Sequence, residues 1–506
     1  MAQQLQPISI AAPGFYGLNT QDSPVDMQPR FASTALNCVI DQYGRVGARK
    51  GYEYVTTSAA AISGGDGITA IYEHTKADNS QIVFSTGNNK LLTGTTTLTD
   101  ATPAAYTITT EDWKIVGLNA HVYFFQRGYE PCVYSEHTGT IQKMSAHSHA
   151  AGTPPQANEA LAAYGRLFVA DFAADKHTVY WSDLLDGAVW TGGSTGSLDV
   201  TKVWPNGADE IVALAQHNDR LVIFGRNCIL IYSGASTPSS MVLEDIIQNV
   251  GCIARDSVQN TSTDIFFLSS HGVQSLSRLI QEQSAPMRDI SRNVRNDITA
   301  LVSGETGSIK AAYNPVEAFY LLSFPTTGIV YCFDTRGMLE DGSARVTTWD
   351  SIEPLCFHTT RSGALYMGHL NGITQYTGYN DDTASYSMEY FSNPISFGNP
   401  AMVKMLKKLS MTIIGGAGVI ANMKWAYDYQ YNYRSVSYTI ASGEVAEYNV
   451  AEYNVDEYTT GILIARPNIN TGGAGTVVTV GLTSTIDGAP LSIQQIDILA
   501  LLGRLV

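Results

Sequence analysis

The chain has little charge, and positive charge is the scarcer kind. Only 15% of its 506 residues are charged, and 30 Lys and Arg stand against 46 Asp and Glu, for a net charge of −16. Proteins that hold nucleic acid by its phosphates need clustered basic residues. The longest such cluster is Lys404, Lys407 and Lys408, which is expected on a solvated strand face. The composition therefore argues against tight nucleic-acid binding.

Long apolar segments are also missing. No stretch approaches 18 consecutive apolar residues, and Leu221–Tyr232 is interrupted by Arg226 and Asn227. The first 14 residues contain neither the basic residues nor the apolar core that a secretory signal requires. We therefore expect no membrane span and synthesis in the cytoplasm.

Cysteine is sparse and never occurs in a C-x-x-C pair. The spacing favours isolated buried thiols in a reducing compartment over a disulfide framework. The six residues are Cys38, Cys132, Cys228, Cys252, Cys332 and Cys356.

What the sequence does contain is a weak repeat of seven units. Each unit has an apolar or aromatic run, a turn rich in Gly, Asn or Asp, and a second run, as expected for a β-hairpin. Successive units start 40 to 54 residues apart, a period typical of four-stranded propeller blades, which bury on one another the faces that a lone hairpin exposes. The units begin near Gln81, His121, Arg166, Arg220, Asp264, Ala318 and Ala364.

The repeat predicts an all-β fold with a β-propeller over residues 61–385. Seven blades are favoured, with six as the alternative. Residues 386–506 alternate apolar and polar side chains around Gly- and Pro-rich turns, which predicts a C-terminal β-sandwich or barrel-like platform. The N-terminal segment, residues 1–60, is expected to pack with this platform.

Two local patterns refine this prediction. A helix is expected at Asp289–Val302, with Asp289 as its N-cap. A strand is expected at 427–433, where every second residue is Tyr. The apolar residues of the helix share one face at helical spacing; they are Ile290, Val294, Ile298 and Leu301.

A tandem pentad, V-A-E-Y-N, occupies residues 445–454 and continues as V-D-E-Y. It places Tyr448, Tyr453 and Tyr458 next to carboxylates. Aromatic residues are enriched in interface cores, so these tyrosines are candidate subunit contacts. An extended segment that covers its own domain explains the pattern equally well.

No motif in the sequence predicts catalysis, a cofactor or a metal site. His147 and His149 form a possible metal pair, but a flexible loop between blades is the favoured interpretation because no Cys or carboxylate lies nearby in sequence. Asp381-Asp382 and the pair Asp171 and Asp175 lack the spacing of a calcium loop. A P-loop, a G-x-S-x-G elbow and an H-E-x-x-H motif are absent. We therefore expect a protein that is not an enzyme.

The N-terminal segment resembles a known family. Residues 14–24 (GFYGLNTQDSP), 35–38 (ALNC) and 41–51 (DQYGRVGARKG) are similar to the start of tail proteins of short-tailed bacteriophages. These are called nozzle, tail tubular protein B or packaged-DNA-stabilisation proteins, and their pattern includes G-x-hydrophobic-x-x-R-x-G. Residues 272–298 and the Glu-Tyr-Asn pentads are also similar, although the family often has Trp-Asp at the pentad.

The resemblance implies a structural virion protein of the tail. Such a protein forms a homohexameric ring below the portal and tail adaptor and above the fibres or tail tip. The ring encloses a channel through which double-stranded DNA is retained and ejected without tight binding, and acidic residues along the bore would repel DNA.

The alternative is a propeller-type glycan-binding or polysaccharide-degrading tail protein. Its central pocket would then use carboxylates such as Asp183, Asp264 or Asp350. A cellular scaffold propeller is a third interpretation, which the phage-like ends disfavour, and fold alone does not decide among the three.

Overall fold

The computed structural model describes residues 5–62, 67–108, 112–205, 207–261, 264–282, 289–416, 418–430, 432–440 and 463–505. The chain forms two compact units. The first, here called the propeller unit, contains Tyr54–Gly328 and Glu353–Tyr376; the second, the platform unit, contains Met1–Glu53, Ile329–Ile352 and Thr377–Val506. The propeller boundaries predicted from the sequence were 60/61 and 385/386. No sequence pattern indicated that residues 329–352 belong to the platform unit.

Six antiparallel sheets of the propeller unit form its blades, numbered 1 to 6 in chain order. Blade 1 comprises Ile68–Thr75, Gln81–Gly87, Lys90–Thr93 and Thr99–Asp100, and blade 2 comprises Lys114–Leu118, His121–Phe125, Cys132–Ser135 and Thr140–Lys143. Blade 3 comprises Ala157–Ala163, Arg166–Phe172, Thr178–Trp181 and Gly196–Asp199, and blade 4 comprises Ile211–His217, Arg220–Gly225, Cys228–Ser233 and Val242–Gln248. Blade 5 comprises Gln259–Asn260, Ile265–Ser269 and Gly272–Ser275, and blade 6 contains Cys356–Thr359, Leu365–His369 and Gly372–Tyr376. The predicted β-propeller is therefore confirmed.

A further hairpin, Lys310–Asn314 and Phe319–Phe324, lies between blades 5 and 6. Gln259 Nε2 of blade 5 donates a hydrogen bond to its Ala311 carbonyl at 3.0 Å, and Thr359 Oγ1 of blade 6 donates to its Tyr313 carbonyl at 2.9 Å. The repeat near Ala318 corresponds to this hairpin, whose two strands belong to none of the six blade sheets. The structure thus has the six blades of the alternative.

The ring of blades closes on itself. The backbone N–H groups of Val55 and Thr56, at the start of the unit, donate to the carbonyl of Ile373 in blade 6. Glu73 of blade 1 donates its backbone N–H to His358 Nε2 of blade 6 at 3.0 Å. Joining first and last blades leaves no long unpaired edge at the seam, which is how propellers suppress edge-to-edge association.

Aromatic side chains fill the space between adjacent blades. Phe84 of blade 1 meets Phe124 of blade 2 edge to face, with ring centroids 5.4 Å apart, and Phe224 of blade 4 lies 4.9 Å from Phe267 of blade 5. All four rings are fully buried. The six cysteines are buried free thiols, as predicted.

The described residues contain two α-helices, Leu276–Glu282 and Arg295–Gly304. Neither is long and apolar enough to cross a membrane. The predicted helix starts six residues late, because Asp289 is not its N-cap: that carboxylate instead accepts a hydrogen bond from Arg295 Nε at 2.8 Å. Ile298 lies on the buried face, as the periodicity predicted.

The platform unit joins both ends of the chain in one sheet. At its centre, Leu491–Leu505 pairs with Leu5–Ala11, Met402–Gly415 and Val46–Ala48. Strands of the N-terminal segment, Leu5–Ala11 and Val46–Ala48, thus belong to the same sheet as strands of the C-terminal region. The remaining strands described in this sheet are Cys38–Ile40, Ile464–Ala465 and Asn468–Asn470.

Eight further strands described in the platform unit belong to one other sheet. In spatial order they are Ile329–Met338, Ala344–Trp349, Gly17–Leu18, Phe31–Leu36, Tyr386–Ser392, Val478–Ile486, Ile420–Tyr427 and Arg434–Thr439. The predicted strand over 427–433 is wrong, because Asp428 and Tyr429 have φ angles of 52° and 58° and turn the chain. The chain passes from this unit to the propeller within the strand Tyr52–Tyr54. The candidate contact residues Tyr448, Tyr453 and Tyr458 lie outside the described residues.

Candidate functional site

The innermost strands of the propeller unit surround a cavity of about 410 Å³. Its walls come from blade 1 (69–72), blade 2 (113–115), blade 5 with the residue before it (256, 259 and 260), the inserted hairpin (310–313) and blade 6 (356–359). Pockets for small ligands usually occupy about 300–1,000 Å³. The cavity at the propeller axis is therefore large enough to hold a small ligand.

Six charged side chains meet at this axis, and we call them the axial charge network. They are three cations and three carboxylates, so their formal charges balance. The members are Lys114, Arg255, Lys310, Asp112, Glu159 and Asp256.

Asp256 is the centre of the network. Arg255 holds its carboxylate with two parallel hydrogen bonds, from Nε and Nη2, at 2.9 Å each. Lys310 Nζ lies 2.5 Å from Asp256 Oδ2 and 3.2 Å from Asp112 Oδ1, and Arg255 Nη2 lies 2.9 Å from the same Asp112 oxygen. A planar guanidinium suits this two-point grip. The network therefore joins the segment before blade 5 to the segment before blade 2 and to the inserted hairpin.

Glu159 extends the network to blade 3. It is 1% exposed, and its Oε2 lies 3.3 Å from Lys114 Nζ and 3.9 Å from Arg255 Nε. Burial raises the pKa of Glu159, and the two cations offset this only in part. Burial also opposes ionisation of Asp256, but Arg255 and Lys310 outweigh it and hold the pKa of Asp256 well below its usual value.

This geometry favours a structural role. A general acid or base needs a pKa near the working pH and access to the substrate. Asp256 is held ionised by two cations, and Glu159 has almost no exposed surface. The network cross-links four parts of the ring: blades 2, 3 and 5 and the inserted hairpin.

A second cavity, of about 640 Å³, adjoins Arg255 and is also lined with both signs of charge. Asp171 accepts hydrogen bonds there from Lys176 Nζ at 2.6 Å, from Asn158 Nδ2 at 2.7 Å and from Arg127. Asn158 Oδ1 in turn accepts from Arg255 Nη1 at 2.8 Å. Asp171 is therefore committed to protein cations.

The carboxylates that the sequence suggested for a central pocket lie elsewhere. Asp183 accepts from the backbone N–H of Ser194 at 3.0 Å in a turn of blade 3. Asp264 accepts from the hydroxyl of Ser275 and the backbone of Ser277 at the base of blade 5. Asp350 belongs to the platform unit. None of the three lines the axial cavities, so that placement was wrong.

The structure brings His147 and His149 close to a third histidine. The ring centroid of His147 lies 5.6 Å from that of His149 and 5.1 Å from that of His121. His149 Nδ1 lies 3.3 Å from Asp186 Oδ2. Within the described ranges, no group of three or more His, Cys, Asp or Glu has an arrangement that could hold a metal ion.

The sequence did contain a signal for the axial charge network. Lys114 and Lys310 are the first residues of the innermost strands of blade 2 and of the inserted hairpin, and each precedes an apolar run. Glu159 lies early in the innermost strand of blade 3. Lone charges near the start of otherwise apolar inner strands, Lys in two of them and Glu in a third, indicate buried ion pairs.

The platform unit contains its own buried charge, Arg49, from the motif at 41–51. Arg49 is fully buried, and its two terminal nitrogens bind the carboxylate of Asp381 at 2.7 Å each. Its Nε donates to Asn37 Oδ1 at 2.9 Å, and its guanidinium lies 4.1 Å from the ring centroid of Tyr386. We call these four residues the Arg49 clamp. It ties the N-terminal segment to chain more than 300 positions away.

The glycine that ends this motif is needed for space. A Cβ on Gly51 would lie 1.8 Å from the carbonyl oxygen of Asn380. The pattern G-x-hydrophobic-x-x-R-x-G therefore has a physical explanation in this chain. Arg49 binds Asp381, and Gly51 lets its own backbone approach that of Asn380.

No protein-family model and no curated protein matches the sequence. Among solved structures, the chain is similar to the extracellular domain of a one-component system from B. thetaiotaomicron, at 12% identity and a TM-score of 0.42, over 78% of this chain and 46% of that one. It thus spans less than half of that protein. It is also similar to the Neurospora crassa Pan2 WD40 domain, at 11% identity and a TM-score of 0.38, over 65% of this chain and 95% of that one. An auxiliary nutrient binding protein from Bacteroides thetaiotaomicron is 10% identical, with a TM-score of 0.36, over 65% of this chain and 76% of that one.

Proposed function

We propose that the protein is a structural component of a bacteriophage tail, a nozzle subunit that forms a homohexameric ring around the DNA channel. One observation supports this most: Asn37 and Arg49, which lie in the segments that resemble the nozzle family, belong to the Arg49 clamp, which ties the N-terminal segment to Asp381 in the same unit. The resemblance therefore concerns the construction of a whole unit. It is more than a short surface motif.

The axial charge network supports a scaffold role for the propeller. Ion pairs that link several blades stiffen the ring and occupy the position where propeller enzymes would need free catalytic groups. A ring subunit must present two different surfaces that fit one another in neighbouring copies, and a rigid propeller suits that task.

The charge balance suits passage of DNA in this proposal. With a net charge of −16, carboxylates facing the bore would repel the phosphates and prevent adhesion to the wall. Partners would be further copies of the chain, a tail adaptor above, and fibres or a tail tip below. The protein would act in the virion, without chemistry of its own.

Native mass spectrometry and negative-stain electron microscopy of the purified chain, alone and with tail adaptor rings, test the proposal. We expect closed rings of six copies in at least the adaptor sample. The variant Arg49→Lys should lose assembly, because Lys cannot grip Asp381 at two points, whereas Glu210→Gln, in an exposed pair, should assemble normally. A chain that stays monomeric with adaptor present and cleaves polysaccharide would overturn the proposal.

A further inference from the structure

Blade 3 carries a third cavity, of about 540 Å³, which shares no lining residue with the two axial cavities. Three aromatic side chains line it: Phe172, Tyr180 and Trp190. The loop before blade 3 and its outermost strand complete the walls. We call this cavity the blade 3 groove.

The aromatic rings are held in place but left partly open to solvent. Tyr180 is 37% exposed, and its ring meets Phe172 edge to face with centroids 5.1 Å apart. Trp190 is fixed by its backbone N–H, which donates to the Ala151 carbonyl at 2.7 Å, and by its indole N–H, which donates to Met144 Sδ at 3.3 Å. Large rings are normally buried more completely. A fixed, open aromatic surface inside a concavity is typical of a binding site.

The polar groups of the groove limit the ligand. Tyr180 and Asp175 both line the groove, and burial followed by the charge of Asp175 raises the pKa of Tyr180. The Trp190 N–H is already used, and Thr195 Oγ1 donates to the Gly192 carbonyl at 2.8 Å. The groove therefore combines one carboxylate acceptor, Asp175, with the amide of Gln156 and hydroxyl groups that can donate or accept.

A ligand that fits must combine an apolar face with several hydrogen-bond donors. A saccharide ring does, since its C–H face packs on aromatic rings and its hydroxyls donate. A proline-rich peptide brings carbonyl acceptors and lacks N–H groups at its prolines, so it would add few donors to Asp175, which accepts one hydrogen bond from the His177 N–H. An anionic sugar would be repelled by the same carboxylate.

We propose that the blade 3 groove binds a neutral saccharide, with the sugar ring packed on Tyr180 and Trp190 and its hydroxyls donating to Asp175. This site goes beyond the proposed structural role. Ring assembly and saccharide binding are measured separately, so either can fail without the other.

Saturation-transfer NMR and isothermal titration calorimetry on the full chain test the site. The probes are maltotriose, cellotriose and chitotriose, with 3′-sialyllactose and decaproline as comparators. We expect one or more of the neutral trisaccharides to bind, and Tyr180→Ala to weaken that binding at least tenfold. The matched control Tyr43→Ala, at a tyrosine 61% exposed in the platform unit, should bind like the parent protein.

Asp175→Asn provides a second variant that keeps the size of the side chain and the acceptor for the His177 N–H, which lies 2.9 Å away. It should also weaken neutral saccharide binding several-fold. The proposal is overturned if none of the neutral trisaccharides binds, if Tyr180→Ala and Asp175→Asn both bind like the parent, or if decaproline or sialyllactose binds more tightly.

Discussion

Replacing Asp256 by Asn removes the central anion of the axial charge network without changing the shape of the side chain. Arg255 and Lys310 would then face each other with only Asp112 and Glu159 to balance them and Lys114. Both cations are 7% exposed, so water cannot replace the lost carboxylate. Breaking a buried pair by removing one partner costs about 3–5 kcal/mol.

That cost has a measurable size in the propeller unit. For roughly 300 residues, the unfolding entropy of about 2.1 cal/mol/K per residue converts 3–5 kcal/mol into a fall in melting temperature of about 5–8 °C. Differential scanning calorimetry, with hydrogen exchange of blade peptides to assign the transition, would measure it. Glu210→Gln is the control, because its partner Arg226 lies 3.9 Å away and both side chains are more than half exposed. That change should cost less than about 1 kcal/mol.

A double-mutant cycle separates electrostatics from packing. Lys310→Met alone should also destabilise the unit, because it leaves a carboxylate short of a cation. The double variant Lys310→Met/Asp256→Asn restores charge balance. Its loss of unfolding free energy should therefore be smaller than the sum of the two single losses by more than about 1 kcal/mol. Additive costs, or an Asp256→Asn protein that melts with the parent, would refute the network as a stabilising element.

Two further predictions concern charge. Arg49→Lys should lower the melting temperature of the platform unit while leaving the propeller transition unchanged, because Lys replaces two hydrogen bonds to Asp381 with one contact; calorimetry with unit-specific hydrogen exchange would show a uniform loss if this is wrong. Lowering the pH below about 4 should destabilise the propeller through Asp256, because the pKa of Asp256 is well below its unfolded value in the folded protein. The stability that Asp256 contributes is complete above the unfolded pKa and is lost as the pH falls towards the folded pKa. Burial lowers the pKa of His358 and of His369 to about 4, so the unfolded chain takes up protons first and acidification from pH 7 towards pH 5 should already destabilise the propeller. Glu159 opposes this in part because its pKa is raised, and melting curves from pH 3 to 7 for the parent and Asp256→Asn would separate the histidine effect from that of Asp256.

The propeller could be predicted because its signal is local. The units marked at Gln81, His121, Arg166 and Arg220 begin at the first residue of the second strand in blades 1 to 4. The alternation of apolar and polar residues and the turn-forming residues are patterns of fewer than twenty residues, so they can be recognised in a single sequence. The number of blades depends on which strands pair into one sheet, and this is not a local property of the sequence. The hairpin that begins at Lys310 resembles the other repeats in sequence but belongs to none of the six blade sheets.

The axial charge network could be predicted only in part, for the same reason. Lone charges in apolar strands signal that a partner exists, but Asp112 and Lys310 are 198 positions apart. Their pairing follows from the ring geometry, which brings the start of every innermost strand to one axis. The carboxylates chosen from the sequence were wrong because Asp183 and Asp264 lie at turns, where a side chain bonds its own backbone.

The Arg49 clamp limits what the resemblance can say about function. A chain that builds one unit from both of its ends must bury a contact between them, and a guanidinium held by Asp381 and Asn37 supplies it. The same residues would be needed whatever the propeller binds. The resemblance therefore bears on how the platform unit is made, and through it on assembly, while the blade 3 groove must be judged by its own ligand. The proposed saccharide site and the proposed ring assembly would depend on different residues, so each can be tested by variants that leave the other unchanged.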